Sequence, residues 1–241
     1  MDYKRKIDFA IKLLRSIPQD GPIEVSYSGG KDSDVILELA RMAGIPFEAI
    51  YKNTTIDPPG TIAHCRENGV TILRPKRTML QIIEDKGWPT KRARFCCSEL
   101  KEYPVHKRAV QGIRRSESTA RKERYKEPSF CRLYSKGNCV EVYLPILKWT
   151  NEDVQRFIEE RGIKCAPVYY DEEGNFHVER RLGCIGCPMK SDCGRADFVK
   201  YPRMLRAWIK VLEKYLLTHP HCGAFSKFGD AYNLAFHNLF C

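Results

Sequence analysis

Val25-Ser26-Tyr27-Ser28-Gly29-Gly30-Lys31-Asp32-Ser33 joins an apolar segment to an amphipathic one. Ile23 to Tyr27 reads as a buried strand, and Asp32 to Ala43 as a helix with apolar residues at helical spacing. Between them lies a Ser-Gly-Gly turn. Two adjacent glycines let backbone N–H groups approach an anion without Cβ interference. The helix N-terminus adds its positive dipole end at the same point. Ser28 and Ser33 supply hydroxyls and Lys31 a point charge, so the segment reads as a phosphate cradle at the crevice of an open α/β sheet.

The spacing differs from the usual P-loop, which needs four residues between its first Gly and the Gly-Lys pair. Ser28-Gly29-Gly30-Lys31-Asp32-Ser33 instead resembles the PP-loop of the adenine-nucleotide α-hydrolase superfamily, whose members bind ATP or an adenylyl sulfate.

The flanking sequence fits an α/β fold with a mostly parallel sheet flanked by helices. Phe47–Tyr51, Val70–Leu73, Val110–Ile113 and Val140–Pro145 read as further strands. Pro59–Asn68, Thr78–Lys86, Ser98–Lys107 and Asn151–Arg161 read as helices, the last with acidic residues in its first turn. Residues 164 to 194 are rich in Gly, Pro and Cys and read as irregular. Helices over Tyr201 to Thr218 and Ala231 to Leu239 follow. The expected organisation is a PP-loop nucleotide-binding domain over 1–150, with a cysteine-rich, helical C-terminal appendage over 151–241.

The 241 residues are 43% hydrophobic, enough for a core, and carry a net charge of +11. Lys86 to Lys126 holds thirteen Lys or Arg against four Glu, which suits nucleotide phosphates or a nucleic acid. No apolar run reaches the roughly 20 residues of a membrane span, and the N-terminus lacks a signal peptide's apolar core. The expected setting is cytoplasmic, away from membranes.

Eleven cysteines in such a chain point to metal or redox chemistry before disulfides. Cys96 and Cys97 are adjacent, and Cys184 and Cys187 form a Cys-x-x-Cys turn. Four thiolates can hold zinc or an iron–sulfur cluster. Successive side chains point apart, so adjacent cysteines suit two irons of a cubane better than one zinc, which favours 4Fe–4S. A rival ligand set, Cys165, Cys184, Cys187 and Cys193, resembles the arrangement in DNA-phosphorothioation proteins and would leave Cys96 and Cys97 as core or redox thiols. Cys65, Cys131 and Cys139 read as buried small hydrophobes. The six histidines show no ligand spacing, and Trp88, Trp149 and Trp208 read as packing residues.

With its Cys-Cys pair and distant Cys-x-x-Cys, the chain resembles the phosphoadenosine-phosphosulfate (PAPS) and adenylyl-sulfate (APS) reductase family. Gly112-Ile113-Arg114-Arg115-Ser116-Glu117-Ser118-Thr119-Ala120-Arg121 is similar to that family's glycine–arginine segment, and Asn53 to Pro59 to its nucleotide-lining segment. The resemblance implies an adenine nucleotide (ATP, APS or PAPS) held by Ser28, Gly29, Gly30, Lys31, Asp32, Ser33, Asp57, Gly112, Arg114, Glu117, Ser118 and Arg121. Lys31, Asp32, Arg114 and Arg115 would act on its phosphates. Cys96, Cys97, Cys184 and Cys187 would hold the cluster. Magnesium, with Asp32 or Asp57 as ligand, would accompany ATP.

Two features depart from assimilatory reductases. The PP-loop is complete, as in ATP pyrophosphatases, and no Glu-Cys-Gly tail occurs; Cys222 and Cys241 are the nearest thiols to one. A complete loop with this cysteine set also resembles sulfur-transfer enzymes of nucleic-acid thiolation. Sulfonucleotide reduction, ATP-driven sulfur transfer and a non-catalytic nucleotide or cluster sensor stay open. The partners implied are a thiol reductant or cysteine-desulfurase sulfur donor, a nucleic acid, and a second copy of the chain.

Overall fold

The glycine turn leaves the sheet from an interior strand. The computed structural model describes residues 2–134, 137 and 139–240, with the side chains of 224–226 left aside. Its sheet contains β1 (Ile23–Tyr27), β2 (Glu48–Lys52), β3 (Thr71–Leu73), β4 (Arg108–Val110), β5 (Ser129–Leu133) and β6 (Cys139–Tyr143), in the order β3-β2-β1-β4-β6-β5. All neighbours are parallel except β5 with β6. Val25 pairs with Ala49 on one side and Val110 on the other. The chain runs outward from β1 to β2 and β3, then returns to β4 across β1. That reversal makes the carboxyl ends of β1 and β4 the topological switch point, where open α/β sheets bind ligands.

The chain divides into two compact units. The first combines Met1–Lys52, Pro59–Leu73 and Pro104–Leu182. It holds the sheet with α1 (Tyr3–Arg15), α2 (Lys31–Ala43), α3 (Thr61–Glu67), α6 (Thr119–Arg124) and α7 (Asn151–Arg161). Its core gathers Val25 and Ile23 of β1 with Ile36 and Leu39 of α2, Leu14 of α1 and Phe157 of α7. Each such side chain contributes about 1.5–3 kcal/mol of burial. α2 ends where Gly44 turns left-handed, and α7 begins on a Thr150–Asp153 capping box.

The second unit combines Asn53–Pro58, Arg74–Tyr103 and Gly183–Cys241. It holds α4 (Met79–Lys86), α5 (Phe95–Leu100), α8 (Arg195–Lys200), α9 (Pro202–Thr218), α10 (Gly223–Phe228) and α11 (Ala231–Phe240). Its core is built on the rings of Trp88, Phe198 and Trp208, with centroids 5.0–5.9 Å apart.

The sequence expectations need several corrections. One cut at residue 150 does not give these units, because each is assembled from three separate chain segments. The helix expected over Ser98–Lys107 is α5, Phe95–Leu100; Pro104 cannot sit inside a continuing helix. β4 is Arg108–Val110, and 111–113 have already left the sheet. β5 went unforeseen because it is an edge strand whose residues alternate between exposed and half-buried. Cys131 and Cys139 are not buried hydrophobes. Both are exposed and pair in a disulfide across β5 and β6, with Cα atoms 5.9 Å apart. Cys65, Trp88, Trp149 and Trp208 are buried as expected. Among the described residues, no helix is long and apolar enough to cross a membrane.

Candidate functional site

Two groups of predicted residues come together, one in each unit. In the sheet unit, β1 ends at Tyr27 and Gly29 turns with φ +77°. α2 then starts at Lys31, with Gly30 as its N-cap. The turn is braced from within: Ser33 Oγ donates to Gly30 O at 2.6 Å, and Ser33 N to the same oxygen at 2.8 Å. Ser28 Oγ lies 3.3 Å from Ser33 Oγ and accepts from Gly30 N at 3.4 Å. The tail after β4 crosses close by. A Cβ on Gly112 would stand 2.8 Å from Asp32 O, so only glycine lets the two backbones approach this closely.

Lys31 is 4% exposed, and burial lowers its amine from the ordinary value. Asp32 resists that shift, while Arg114 and Arg181 add repulsion. Asp32 holds two cations: Lys31 Nζ donates to Oδ2 at 3.2 Å and Arg114 Nε to Oδ1 at 2.6 Å. Arg114 is buried, and its fork is fixed further by Ser116 Oγ at 2.9 Å and Asn151 Oδ1 at 3.0 Å. Glu117 pairs with Arg121, and its carbonyl accepts from Arg181 Nη2 at 3.0 Å. Burial and the nearby Arg181 lower the Arg121 guanidinium. Lys31, Arg114, Arg121 and Arg181 gather around the carboxylates of Asp32 and Glu117, with Glu152 also within electrostatic reach of Arg114, a cation-rich set suited to phosphate or sulfate.

Arg115 is half-buried, and its backbone N–H donates to Leu147 O at 2.9 Å. Ser118 caps α6, accepting from Arg121 N at 3.2 Å. Two contributors were missed in the sequence. Arg181 lies outside the glycine–arginine segment, and the only signal was the arginine pair ahead of Leu182-Gly183-Cys184. Tyr169 is buried under the turn; its hydroxyl accepts from Leu182 N at 3.3 Å and its ring lies 5.4 Å from Lys31 Nζ. Nothing in its local pattern marks that role.

In the helical unit, Cys96, Cys97, Cys184 and Cys187 border one small apolar cavity, with Lys101 and Trp208 also in its wall. Cys96 and Cys97 sit in the first turn of α5. The Cys184–Cys187 turn depends on Gly186, at φ +71°, where a Cβ would run into the Phe198 ring. The Cys96 thiol donates to the Cys97 sulfur, which raises Cys96 and lowers Cys97 to about 6. Arg94 Nη2, 3.6 Å from Cys97 Sγ, reinforces the lowering. Burial raises Cys187. Burial works against the Lys101 ammonium, but Cys184 and Asp57 outweigh it and raise its value. Asp57 belongs to this unit: Oδ2 accepts from Thr54 N at 3.0 Å, and Oδ1 lies 3.9 Å from Cys184 Sγ.

Among the described residues, no three His, Cys, Asp or Glu side chains stand at ligating geometry, and all four cysteines are free thiols. The donor set itself fits a soft, sulfur-bound group: four thiols on one apolar cavity, with Arg94 and Lys101 to offset thiolate charge. Cys165 belongs to the sheet unit, buried beside Asp34. Cys193 has no place in the wall of the cavity. Cys222 lies against Tyr215, and Cys241 falls outside the described residues.

Residues 22–190 match the phosphoadenosine phosphosulfate reductase domain. The chain belongs to this family. An uncharacterized protein of Methanocaldococcus jannaschii is 31% identical over 211 residues, covering 80% of this chain and 48% of the relative. Sulfate adenylyltransferase subunit 2 of Shewanella pealeana is 26% identical over 200 residues, covering 68% of this chain and 66% of that one. Phosphoadenylyl-sulfate reductase of Candida auris, solved as a phosphate complex, superposes with a TM-score of 0.50 at 15% identity. That match covers 76% of this chain and 93% of the reductase, and it establishes a shared fold. The chain spans about half the length of the first curated relatives it matches. In this member of the PAPS reductase family, the glycine turn and the segment around Arg114 meet at one switch point of the sheet.

Proposed function

We propose that this PAPS-reductase-family domain is an enzyme of sulfur transfer that takes ATP at the PP-loop. The observation that carries the reading is the cation cluster around Asp32, in which Lys31, Arg114, Arg121 and Arg181 outnumber the carboxylates paired with them. Ser28, Gly29, Gly30 and Ser33 would line the phosphates. An acceptor oxygen would attack the α-phosphorus, its P–O bond forming as the bond to pyrophosphate breaks. The arginines would neutralise the charge gathering on the leaving pyrophosphate. A sulfur nucleophile would then displace AMP from the adenylylated acceptor. Magnesium would enter with the ATP. Both oxygens of Asp32 already have cationic partners, so we assign Asp32 to orienting Lys31 and Arg114 rather than to the metal. The same cradle suits the phosphate and sulfate of APS or PAPS, and the complete loop favours ATP.

Cys96, Cys97, Cys184 and Cys187 would hold a 4Fe–4S cluster in the helical unit. When bound, it would supply soft sulfide sites and a delocalised charge.

The test is anaerobic purification with iron, sulfide and zinc quantified, then incubation with ATP, APS and PAPS plus a thiol reductant. Pyrophosphate released from ATP supports the reading. Sulfite released from APS or PAPS replaces it with sulfonucleotide reduction. Binding without turnover replaces it with a sensor, and binding of none of the three removes it.

A nucleic acid as acceptor is favoured by α6 and the strand after it. Lys122, Arg124 and Lys126 are exposed, and the Arg124 and Arg132 guanidiniums lie 5.4 Å and 5.0 Å from the rings of Tyr125 and Tyr134. This acceptor predicts RNA or DNA binding that weakens as salt rises; absent or salt-independent binding rules it out.

A further inference from the structure

The PP-loop is bounded by two residues that touch each other. Tyr27 is the last residue of β1, and Asp34 lies in the first turn of α2. The Tyr27 phenol donates to Asp34 Oδ1, across the whole of segment 28–33. His64 of α3 has Nε2 2.9 Å from that same oxygen. Asn68 Nδ2 stands 3.4 Å from His64 Nδ1; as it can only donate, it selects the tautomer with the proton on Nε2. His64 then donates to Asp34 as well. All three side chains are buried, at 4% exposure or less. Burial first, then the Asp34 charge, raises the Tyr27 phenol and keeps it a donor.

Stability alone does not account for Asp34. Its Oδ2 is buried and accepts no N–H or O–H hydrogen bond among the described residues; the Cys165 thiol, a weak donor, lies against the Asp34 carboxylate. An apolar side chain would fill this buried position at lower cost. What the carboxylate supplies is a fixed distance between the end of β1 and the start of α2. Ser33 adds an inner brace by donating to Gly30 O, so the loop is tied twice.

We propose that Asp34 is a positioning residue of the PP-loop: it clasps Tyr27 across segment 28–33, and His64 holds the clasp in place. The proposal rests on the nucleotide reading for its binding arm only. The clasp does not touch the phosphates. It sets the spacing of the glycine amides, Lys31 and Ser33 before a nucleotide arrives, which lowers the ordering cost of binding.

The test compares the wild-type chain with Tyr27→Phe, Asp34→Val and Asp34→Asn. Hydrogen–deuterium exchange on the nucleotide-free protein reads the loop directly. ATP binding by calorimetry, well below each thermal midpoint, reads its consequence. Tyr27→Phe removes one hydroxyl and is the variant safest to fold. It should speed exchange over 28–34 with the strands unchanged, and weaken ATP about tenfold, the scale of one hydrogen bond to a buried charge. Asp34→Val should do at least as much. Asp34→Asn keeps an acceptor and should restore affinity to within about threefold. Unchanged loop exchange in Tyr27→Phe overturns the proposal. So does faster exchange spread evenly over the sheet, which marks a purely structural role, and so does an Asn variant as weak as Val. If the wild type binds none of ATP, APS and PAPS, the nucleotide reading fails, and the exchange arm still decides the clasp.

Discussion

Arg114 Nε donates to Asp32 Oδ1 at 2.6 Å, and the arginine is 1% exposed. A guanidinium buried this fully is held by its whole fork, since Nη1 and Nη2 have partners of their own in Ser116 and Asn151. Arg114→Ala leaves Asp32 short of a cation and empties a large volume. Breaking a buried pair costs about 3–5 kcal/mol; Asp32 is only partly buried, so we expect about 3 kcal/mol in urea unfolding. Arg114→Lys keeps the charge but not the fork, and should recover less than half of that loss. Equal stability of the Lys variant and wild type would refute the role given to the fork.

Gly112→Ala tests the approach of the two backbones. The added Cβ meets the Asp32 carbonyl at 2.8 Å, and backbone cannot swing aside as a side-chain tip can. We expect a destabilisation of about 1–3 kcal/mol. Nucleotide affinity should fall further than after Gly21→Ala, since a Cβ on Gly21 meets nothing within 4 Å. A Gly112→Ala protein with wild-type affinity would mean that the loop after β4 does not set the site.

The cysteine quartet makes a sharp prediction for metal content. Single Ser substitutions at Cys96, Cys97, Cys184 or Cys187 should each lower iron per chain after anaerobic reconstitution, and bleach the visible absorption of a cluster. Cys165→Ala and Cys193→Ala should leave iron in place. Loss of iron in those two, with retention in Cys96→Ser and Cys97→Ser, would transfer the ligand role to the rival set.

Gly186→Ala addresses the turn that presents Cys184 and Cys187. Its Cβ would stand 2.2 Å from Phe198 Cζ, in a ring cluster shared with Trp88 and Trp208, and at a φ that favours glycine. We expect a loss of at least about 3 kcal/mol, read by the tryptophan fluorescence change on unfolding. Phe198→Leu in the same chain should return part of the loss by opening space. No rescue, with Gly186→Ala as stable as wild type, would show that the ring yields freely.

The parts legible in the sequence were those in which one short segment carries the whole pattern. Ser28 to Ser33 spells out a turn and a helix start, and α7 announces itself by Thr150 and Asp153. The cysteine pairs were legible as pairs, and the cavity they share was a matter of tertiary packing. Arg181 and Tyr169 were hidden because their roles come from long-range contacts, with Glu117 and Leu182, that leave no periodicity. β5 was hidden because an edge strand needs no apolar run. Resemblance assigns Asp57 to the nucleotide or its magnesium; the hydrogen bond it accepts from Thr54 N, within the helical unit, has no signature in the sequence.

The position of β1 has a consequence for how the molecule is made. Val25 pairs with Val110, eighty-five residues further along, and β4 in turn needs β6, which ends at Tyr143. At about 5–20 residues per second, a ribosome takes roughly 6–25 seconds to carry the chain from Tyr27 to that point. For roughly the first 4–17 seconds of that interval, until Arg114 is made, the glycine turn exists in the nascent polypeptide without the arginine that steadies its aspartate. The site at the switch point is therefore completed late in synthesis, and the flank of β1 that pairs with β4 stays open until then.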